Sequence, residues 1–192
     1  MVTIEQISTI LRNFQRKEIP TEAYPGYSRA SVLFPLFPKG GELYFLLTVR
    51  TDEVESHKGQ ISFPGGGRDN ADRDAIHTAL REAEEEAGLQ SDDITILGLL
   101  NDRPVISKFI VTPVVGYIPH QPLTKPNPLE VREIFDVPLS FFINTPDVRS
   151  EQRSRNGWTE TVWFYQFGKH TIWGATAAII RDFITVLDLK QD

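Results

Sequence analysis

Hydrophobic residues recur at helical spacing near the start and in the middle of this chain, and elsewhere they form short runs bounded by glycine and proline. The pattern over 4–14 predicts an amphipathic helix whose apolar side carries Ile4, Ile7, Ile10, Leu11 and Phe14. A second helix is predicted at 74–87, where Gly88 is placed to stop it. A third is predicted at about 174–188.

The short apolar runs predict strands, and the first two flank a Lys39-Gly40-Gly41 turn as a hairpin. Pro35 is expected to interrupt the first strand, and four prolines make 119–128 a loop. The predicted strands are 29–37, 42–50, 60–63, 94–100, 109–118, 134–138 and 158–167. Their order among the helices predicts an α/β fold with a mixed sheet flanked by helices, and 192 residues suit a single domain, 1–192.

Composition narrows the classes of function. The net charge of −6 argues against general nucleic-acid binding, so an anionic substrate would need a local basic patch or a bound cation. The absence of cysteine removes disulfides, thiolate metal sites and cysteine nucleophiles. No apolar run approaches the length of a membrane span, and the first residues lack the pattern of a secretory signal. We therefore expect a cytoplasmic protein that does not cross a membrane.

The most informative segment is residues 64–89, PGGGRDNADRDAIHTALREAEEEAGL. On a helical wheel Glu82, Glu85 and Glu86 form one acidic arc beside the core face, while Glu84 points elsewhere. The core face consists of Ile76, Ala79, Leu80, Ala83 and Ala87. The three glutamates repel one another near the helix C-terminus, where the dipole also disfavours negative charge.

Two interpretations of this acidic arc follow from the charges. In the first it is a solvated surface, with Arg81 pairing to Glu85 at i+4. In the second it binds Mg²⁺ or Mn²⁺, which prefer carboxylate oxygens and would let the helix accept an anionic diphosphate. The Gly-Gly-Gly turn ahead of the helix favours the second interpretation, because it lets a backbone carbonyl approach the same cation.

Segment 66–89 resembles the Nudix box, the signature of the Nudix hydrolases. Its second half is matched by residues 81–89, and Gly66 matches the leading glycine; Asp72 stands in place of the usual Glu, with one inserted residue before Arg81. The resemblance implies an α/β/α sandwich with a mixed sheet, and attack of water on a nucleoside diphosphate derivative. It assigns divalent metal to the carboxylates of Glu82, Glu85 and Glu86 and to the Gly65 carbonyl, and an orienting role to Arg81.

The region upstream of the box resembles the motif of the coenzyme A pyrophosphatase branch of that family. Leu46, Leu47, Thr48, Arg50, Gly59 and residues 63–66 match it, whereas Glu55 stands where the motif has arginine. Residues 172–177, IWGATA, are similar to another stretch of the branch, so the resemblance spans about 29–184, with 1–28 as an N-terminal helix and loop. We expect Arg50, His57 and Gly66 to bind substrate.

Several further assignments are hypotheses. Nudix enzymes use an extra carboxylate from a loop like the one before 134–138, and of Glu130 and Glu133 we favour Glu130 as a catalytic residue. Aromatic side chains at 158 and 163–165 could stack on adenine, although core packing explains them as well. The expected reaction is hydrolysis of coenzyme A, or a derivative, to 3′,5′-ADP and 4′-phosphopantetheine. Alternatives are action on ADP-ribose or another nucleoside diphosphate derivative, a non-catalytic nucleotide-binding domain, and a structural domain without metal affinity; homodimerisation stays open.

Overall fold

The computed structural model describes residues 2–51, 59–145, 148–155 and 158–187. Its four α-helices are α1 (Ile4–Asn13), α2 (Ala75–Ala87), α3 (Leu139–Ile143) and α4 (Gly174–Val186). The strands are β1 (Ser28–Lys39), β2 (Glu42–Arg50), β3 (Ile61–Ser62), β4 (Gly65–Gly67), β5 (Thr95–Leu99), β6 (Arg103–Val105), β7 (Phe109–Tyr117), β8 (Val131–Pro138), β9 (Arg149–Arg155), β10 (Trp158–Phe167) and β11 (His170–Trp173). None of the helices in these ranges is long and apolar enough to span a bilayer.

Eight strands form a mixed sheet with the path β3-β2-β1-β7-β5, on which β4 pairs with β1, β6 with β7 and β8 with β2. The β1–β7 pair is parallel and the others are antiparallel. One face packs against α2, and the other packs against α1, α4 and a second sheet of order β11-β10-β9. Helices therefore cover both faces, which confirms the predicted sandwich around a mixed sheet.

The hairpin between β1 and β2 forms as predicted, with Gly40 and Gly41 both at positive φ in its two-residue turn. Pro35 does not interrupt β1, contrary to expectation. The pairing of β1 with β4 ends near Leu33, and its pairing with β2 begins at Leu36. The backbone nitrogen of Pro35, which has no hydrogen to donate, faces the gap between these two strands, so no hydrogen bond is lost.

Buried Asp102 ties the N-terminal segment to the sheet. Its carboxylate accepts hydrogen bonds from Arg16 at 3.1 Å, Arg29 at 2.8 Å, Thr112 at 2.7 Å and the backbone N–H of Ile19 at 3.0 Å. With Ile7 and Leu11 of α1 in the core, this network makes the segment before β1 part of the same packed unit.

Candidate active site

The site forms where β1 and β2 separate and two short strands fill the opening. β3 pairs with the end of β2, and β4 pairs with the first half of β1. The Gly-Gly-Gly segment, expected as a turn, is therefore a strand. A side chain at Gly65 would lie 2.4 Å from the carbonyl oxygen of Ser31, and one at Gly66 would lie 2.5 Å from the carboxyl carbon of Glu82. Glycine here lets the β4 backbone lie directly against an acidic side chain of α2.

Helix α2 carries the acidic residues and begins and ends on well-formed caps. Asp74 accepts the backbone N–H of His77 at 2.8 Å, and Gly88 adopts the left-handed conformation that ends the helix. The core face is as predicted, with Ala79, Ala83 and Ala87 fully buried against the sheet. Small side chains on that face bring the helix close to β1 and hold the acidic arc at the β4 edge.

Arg81 is the centre of an ion-pair network between α2 and the loop before it. Its guanidinium donates to both oxygens of Asp72, at 3.0 and 2.9 Å, and contacts Glu82 at 2.9 Å and Glu85 at 3.0 Å. The predicted i+4 pair with Glu85 is present. Arg81 also donates to the Gly67 carbonyl at 3.2 Å, so one side chain sets the spacing between the acidic helix and β4.

Asp72 is a residue whose part in the site sequence reasoning missed. Its side chain is fully buried, and besides Arg81 it accepts the Asp69 backbone N–H at 2.8 Å and lies 2.9 Å from His77 Nδ1. The hydrogen bonds from Arg81 hold the pKa of Asp72 well below its ordinary value. The signal was available, since Asp72 stands at the acidic position of the box-like segment, but the inserted residue obscured it.

Glu86 is the most buried of the three glutamates, at 1% exposure. Its carboxylate accepts Arg50 Nη1 at 3.1 Å and the Gly65 backbone N–H at 3.2 Å. Burial nevertheless raises the pKa of Glu86 to about 7, and the negative charges of Glu82 and Glu130 add to the shift. The two hydrogen bonds do not fully offset the free-energy cost of burying the charged form of Glu86.

Glu82 and Glu85 differ in their surroundings although both contact Arg81. The Glu82 side chain is 15% exposed, and burial raises its pKa against the opposing effect of Arg81. The Glu85 side chain is 54% exposed. The acidic arc thus runs from solvent at Glu85 to the interior at Glu86.

The loop before β8 brings Glu130 to this arc. Lys125 and Asn127 donate their backbone N–H groups to the carbonyls of Ala87 and Glu86, at 2.8 and 3.0 Å. The Asn127 amide then donates to the Glu130 carboxylate at 3.2 Å. Glu130 is close enough to raise the pKa of both Glu82 and Glu86. Asn127 was also missed, although an asparagine in a proline-rich loop is a signal for an Asx turn, in which its side-chain oxygen accepts the backbone N–H of Leu129.

Glu133 lies apart from the acidic arc. It pairs with Lys169 at 3.0 Å and His170 at 3.2 Å, beside the second sheet. Arg50 faces Glu86, whereas His57 lies outside the described residues. Of the aromatic candidates, Tyr165 is buried in the core and is not available to a nucleotide, whereas Trp163 is partly buried and packs under Arg181.

The oxygen donors suit a hard divalent cation, although the glutamates are not gathered around one point. Across residues 2–51, 59–145, 148–155 and 158–187, no three acidic or histidine side chains are grouped closely enough to hold a metal ion. Glu85 and Glu86 turn towards Arg81 and Arg50 instead. The donor set of carboxylates and a glycine backbone is the one that Mg²⁺ and Mn²⁺ prefer, and the uncompensated charge at Glu86 would be relieved by a cation.

Comparison with known proteins identifies the family. The Nudix domain profile matches residues 27–153, and the chain belongs to the Nudix family. It is 41% identical over 152 residues to the uncharacterized Nudix hydrolase NudL of Photorhabdus laumondii, covering 79% of this chain and 81% of that protein. It is 40% identical over 130 residues to the mouse peroxisomal coenzyme A diphosphatase NUDT7, covering 68% of this chain and 55% of the mouse protein.

Solved structures agree with the fold. A MutT/nudix family protein from Enterococcus faecalis superposes with a TM-score of 0.55 at 17% identity, covering 97% of this chain and 70% of that one. The mixed sheet between helices is therefore a Nudix-type fold. As a Nudix hydrolase, the chain is expected to use divalent metal ions, as members of the family generally do.

Proposed function

We propose that this Nudix hydrolase cleaves the diphosphate bond of coenzyme A or one of its derivatives, giving 3′,5′-ADP and 4′-phosphopantetheine. The observation that carries the hydrolytic part is the meeting of the acidic arc of α2 with Glu130 and the β4 glycines at one opening in the sheet. The choice of substrate is supported by the upstream motif ending at Gly66 and by similarity to the mouse coenzyme A diphosphatase.

In this proposal the metal is held by the carboxylates of Glu82, Glu85 and Glu86 with the Gly65 carbonyl. The register places Gly65 at a non-hydrogen-bonded position opposite Val32, so its backbone groups face away from β1, and its N–H already contacts Glu86. Bound there, the cation supplies positive charge that offsets the diphosphate and the charge developing on it. Arg81 orients Glu82 and Glu85 through its contacts with both.

Glu130 is proposed as the general base. It takes a proton from the attacking water, whose oxygen bonds to phosphorus as the bridging P–O bond breaks and the leaving phosphate departs. Asn127 fixes one oxygen of Glu130 by its amide hydrogen bond, leaving the other for the water. Arg50, His57 and Gly66 are proposed to contact the substrate, and Arg50, which pairs with Glu86, would donate to a phosphate oxygen.

The decisive experiment is a substrate panel with product identification by mass spectrometry. Purified protein is incubated with Mg²⁺ or Mn²⁺ and coenzyme A, 3′-dephospho-coenzyme A or ADP-ribose, with an EDTA control for each. We expect the highest kcat/KM for coenzyme A, and 3′,5′-ADP among the products. Faster turnover of ADP-ribose would contradict the substrate assignment. Glu55, which stands where the coenzyme A motif has arginine, is the feature of the sequence that favours this alternative. No turnover of any compound would favour a nucleotide-binding domain.

A further inference from the structure

The second sheet presents two arginines and two aromatic rings together, away from the acidic arc. The register aligns Arg149 of β9 with Phe164 of β10, and Phe164 with Trp173 of β11. Since alternate residues of a strand share a face, Arg153 lies on the same face as Arg149. We call Arg149, Arg153, Phe164 and Trp173 the arginine–aromatic patch.

The four side chains of the patch are layered on one another. The rings of Phe164 and Trp173 are nearly parallel, at 7°, with centroids 5.9 Å apart. The guanidinium of Arg149 lies 4.7 Å from the Phe164 centroid, and that of Arg153 lies 5.4 and 5.5 Å from the two rings. Such stacking holds the two guanidinium groups in place. Glu151 accepts Nη2 of Arg149 and Nε and Nη2 of Arg153, which leaves the remaining N–H groups of both arginines for a ligand.

The patch is exposed, unlike the opposite face of the same sheet. Tyr165 and Ile172 on that opposite face are buried in the core. On the patch face, Trp173 is 37% exposed and the arginine side chains are 70% and 49% exposed. Core packing explains the aromatic residues of the buried face, but it does not explain why a tryptophan stands at the exposed position 173.

Charge indicates what kind of ligand would fit the patch. Arg149 and Arg153 stand beside one acidic side chain that the structure describes, Glu151, in a chain whose net charge is −6. Among the described side chains, the Glu151 carboxylate is shared by Arg149 and Arg153, so it cannot neutralise both. The surface is therefore locally basic, and it combines a flat apolar ring with donors suited to phosphate.

The patch is fastened to the strand that leads into the proposed active site. Trp173 immediately precedes α4, and Thr176 in the first turn of α4 donates its hydroxyl to the carbonyl of Ile61 at 2.9 Å. Ile61 begins β3, four residues before Gly65. Trp173 of the patch is thus connected to the acidic arc through the first turn of α4, Ile61 and Gly65.

We propose that the arginine–aromatic patch binds the 3′-phosphorylated adenosine end of the substrate, and this proposal rests on the proposed coenzyme A activity. The adenine ring stacks on the indole of Trp173, and the 3′-phosphate accepts hydrogen bonds from Arg149 and Arg153. A base and a phosphate on one sugar match a ring and two guanidinium groups side by side. The patch would then select for the 3′-phosphate, while the acidic arc acts on the diphosphate.

Steady-state kinetics of Arg149→Gln/Arg153→Gln tests the phosphate contact. We expect KM for coenzyme A to rise about tenfold with little change in kcat, and KM for 3′-dephospho-coenzyme A to stay the same. Arg12→Gln, an exposed arginine on α1, is the matched control and should behave as wild type. Equal changes for both substrates, or none for either, would overturn the proposal while leaving coenzyme A hydrolysis standing.

Calorimetric titration with 3′,5′-ADP tests the same contacts without turnover, so it applies even if the proposed activity fails. We expect wild type to bind 3′,5′-ADP about tenfold more tightly than 5′-AMP, and the double arginine variant to lose that preference. Trp173→Leu should weaken both nucleotides by a similar factor, and Trp173→Phe should restore most of the affinity. Wild-type binding by all variants, with unchanged circular dichroism, refutes the patch as a nucleotide site.

Discussion

Asp72 and Glu86 are both buried carboxylates that face an arginine, yet their pKa values shift in opposite directions. Asp72 accepts two hydrogen bonds from Arg81 and one from a backbone N–H, and its pKa falls. Glu86 accepts one from Arg50 and one from Gly65, lies near other carboxylates, and its pKa rises to about 7. Burial alone therefore does not decide the role of an acidic group; the supply of donors does.

This difference distinguishes a structural carboxylate from a metal-binding one. The charge of Asp72 is satisfied within the protein, which suits a residue that holds α2 to the preceding loop. The charge of Glu86 is not satisfied, which suits a residue that binds a cation from solution. Four experiments test the contrast.

The largest effect is expected for Glu86→Gln. If Glu86 holds the metal, its loss removes several kcal/mol of transition-state stabilisation and lowers kcat about 1000-fold. Glu84→Gln, the exposed neighbour on the same helix, is the matched control and should retain full activity. Wild-type turnover by Glu86→Gln would show that Glu86 has no part in metal binding.

Asp72→Asn should act on stability first. It removes one partner of a buried pair and leaves Arg81, which is 27% exposed, with weaker acceptors, so we expect a loss of about 3 kcal/mol in the free energy of unfolding. Urea unfolding measures this loss, with exposed Asp92→Asn as the control. A change as small as that of the control would mean that Asp72 is not a structural carboxylate.

The pH dependence of stability should reveal Glu86 in the absence of metal. Its pKa is about 7 in the folded state against an ordinary value of 4.5. Between these values Glu86 binds more protons in the folded protein than in the unfolded chain, so its contribution to stability is fully present below pH 4.5 and is lost as pH rises through 7. In EDTA, Glu86→Gln should lose this part of the pH dependence and exceed wild type by about 3 kcal/mol at pH 8. Parallel pH profiles for the two proteins would contradict the raised pKa.

The smallest of the four effects is expected for Asn127→Asp. The substitution keeps an acceptor for the Leu129 N–H but replaces the amide donor to Glu130 with a like charge. We expect kcat to fall about tenfold, equivalent to about 1.4 kcal/mol, with KM and melting temperature nearly unchanged. In a Glu130→Gln background, Asn127→Asp should cause no further loss of kcat. An additive loss of kcat would indicate a general structural role for Asn127. Asn13→Asp on α1 is the control.

The sequence predicts the features that depend on periodicity. Helix α2, its alanine face and the Arg81–Glu85 pair all follow from the spacing of residues along one helix. The mixed sheet and its β1–β2 hairpin follow from alternating runs and a glycine turn.

Features that depend on distant contacts were not predicted. The Gly65–Gly67 strand exists because β1 supplies a partner, which its own composition does not indicate. Strand β9 is polar throughout, so it lacks the apolar alternation that marks a strand. The choice between Glu130 and Glu133 depends on the attachment of the 125–130 segment to α2 and on His170, which only the fold brings near these glutamates.

The attachment of the 125–130 segment to α2 also determines where the chain tolerates remodelling. Surface loops usually accept insertions, but here the backbone at Lys125 and Asn127 completes the end of a helix. Extra residues between Asn127 and Glu130 would displace the Glu130 carboxylate. Extra residues around Leu123, which is 92% exposed, would only lengthen an exposed part of the loop. A peptide tag or a grafted recognition loop should therefore be inserted near 121–124, where it would not displace Glu130 or the end of α2.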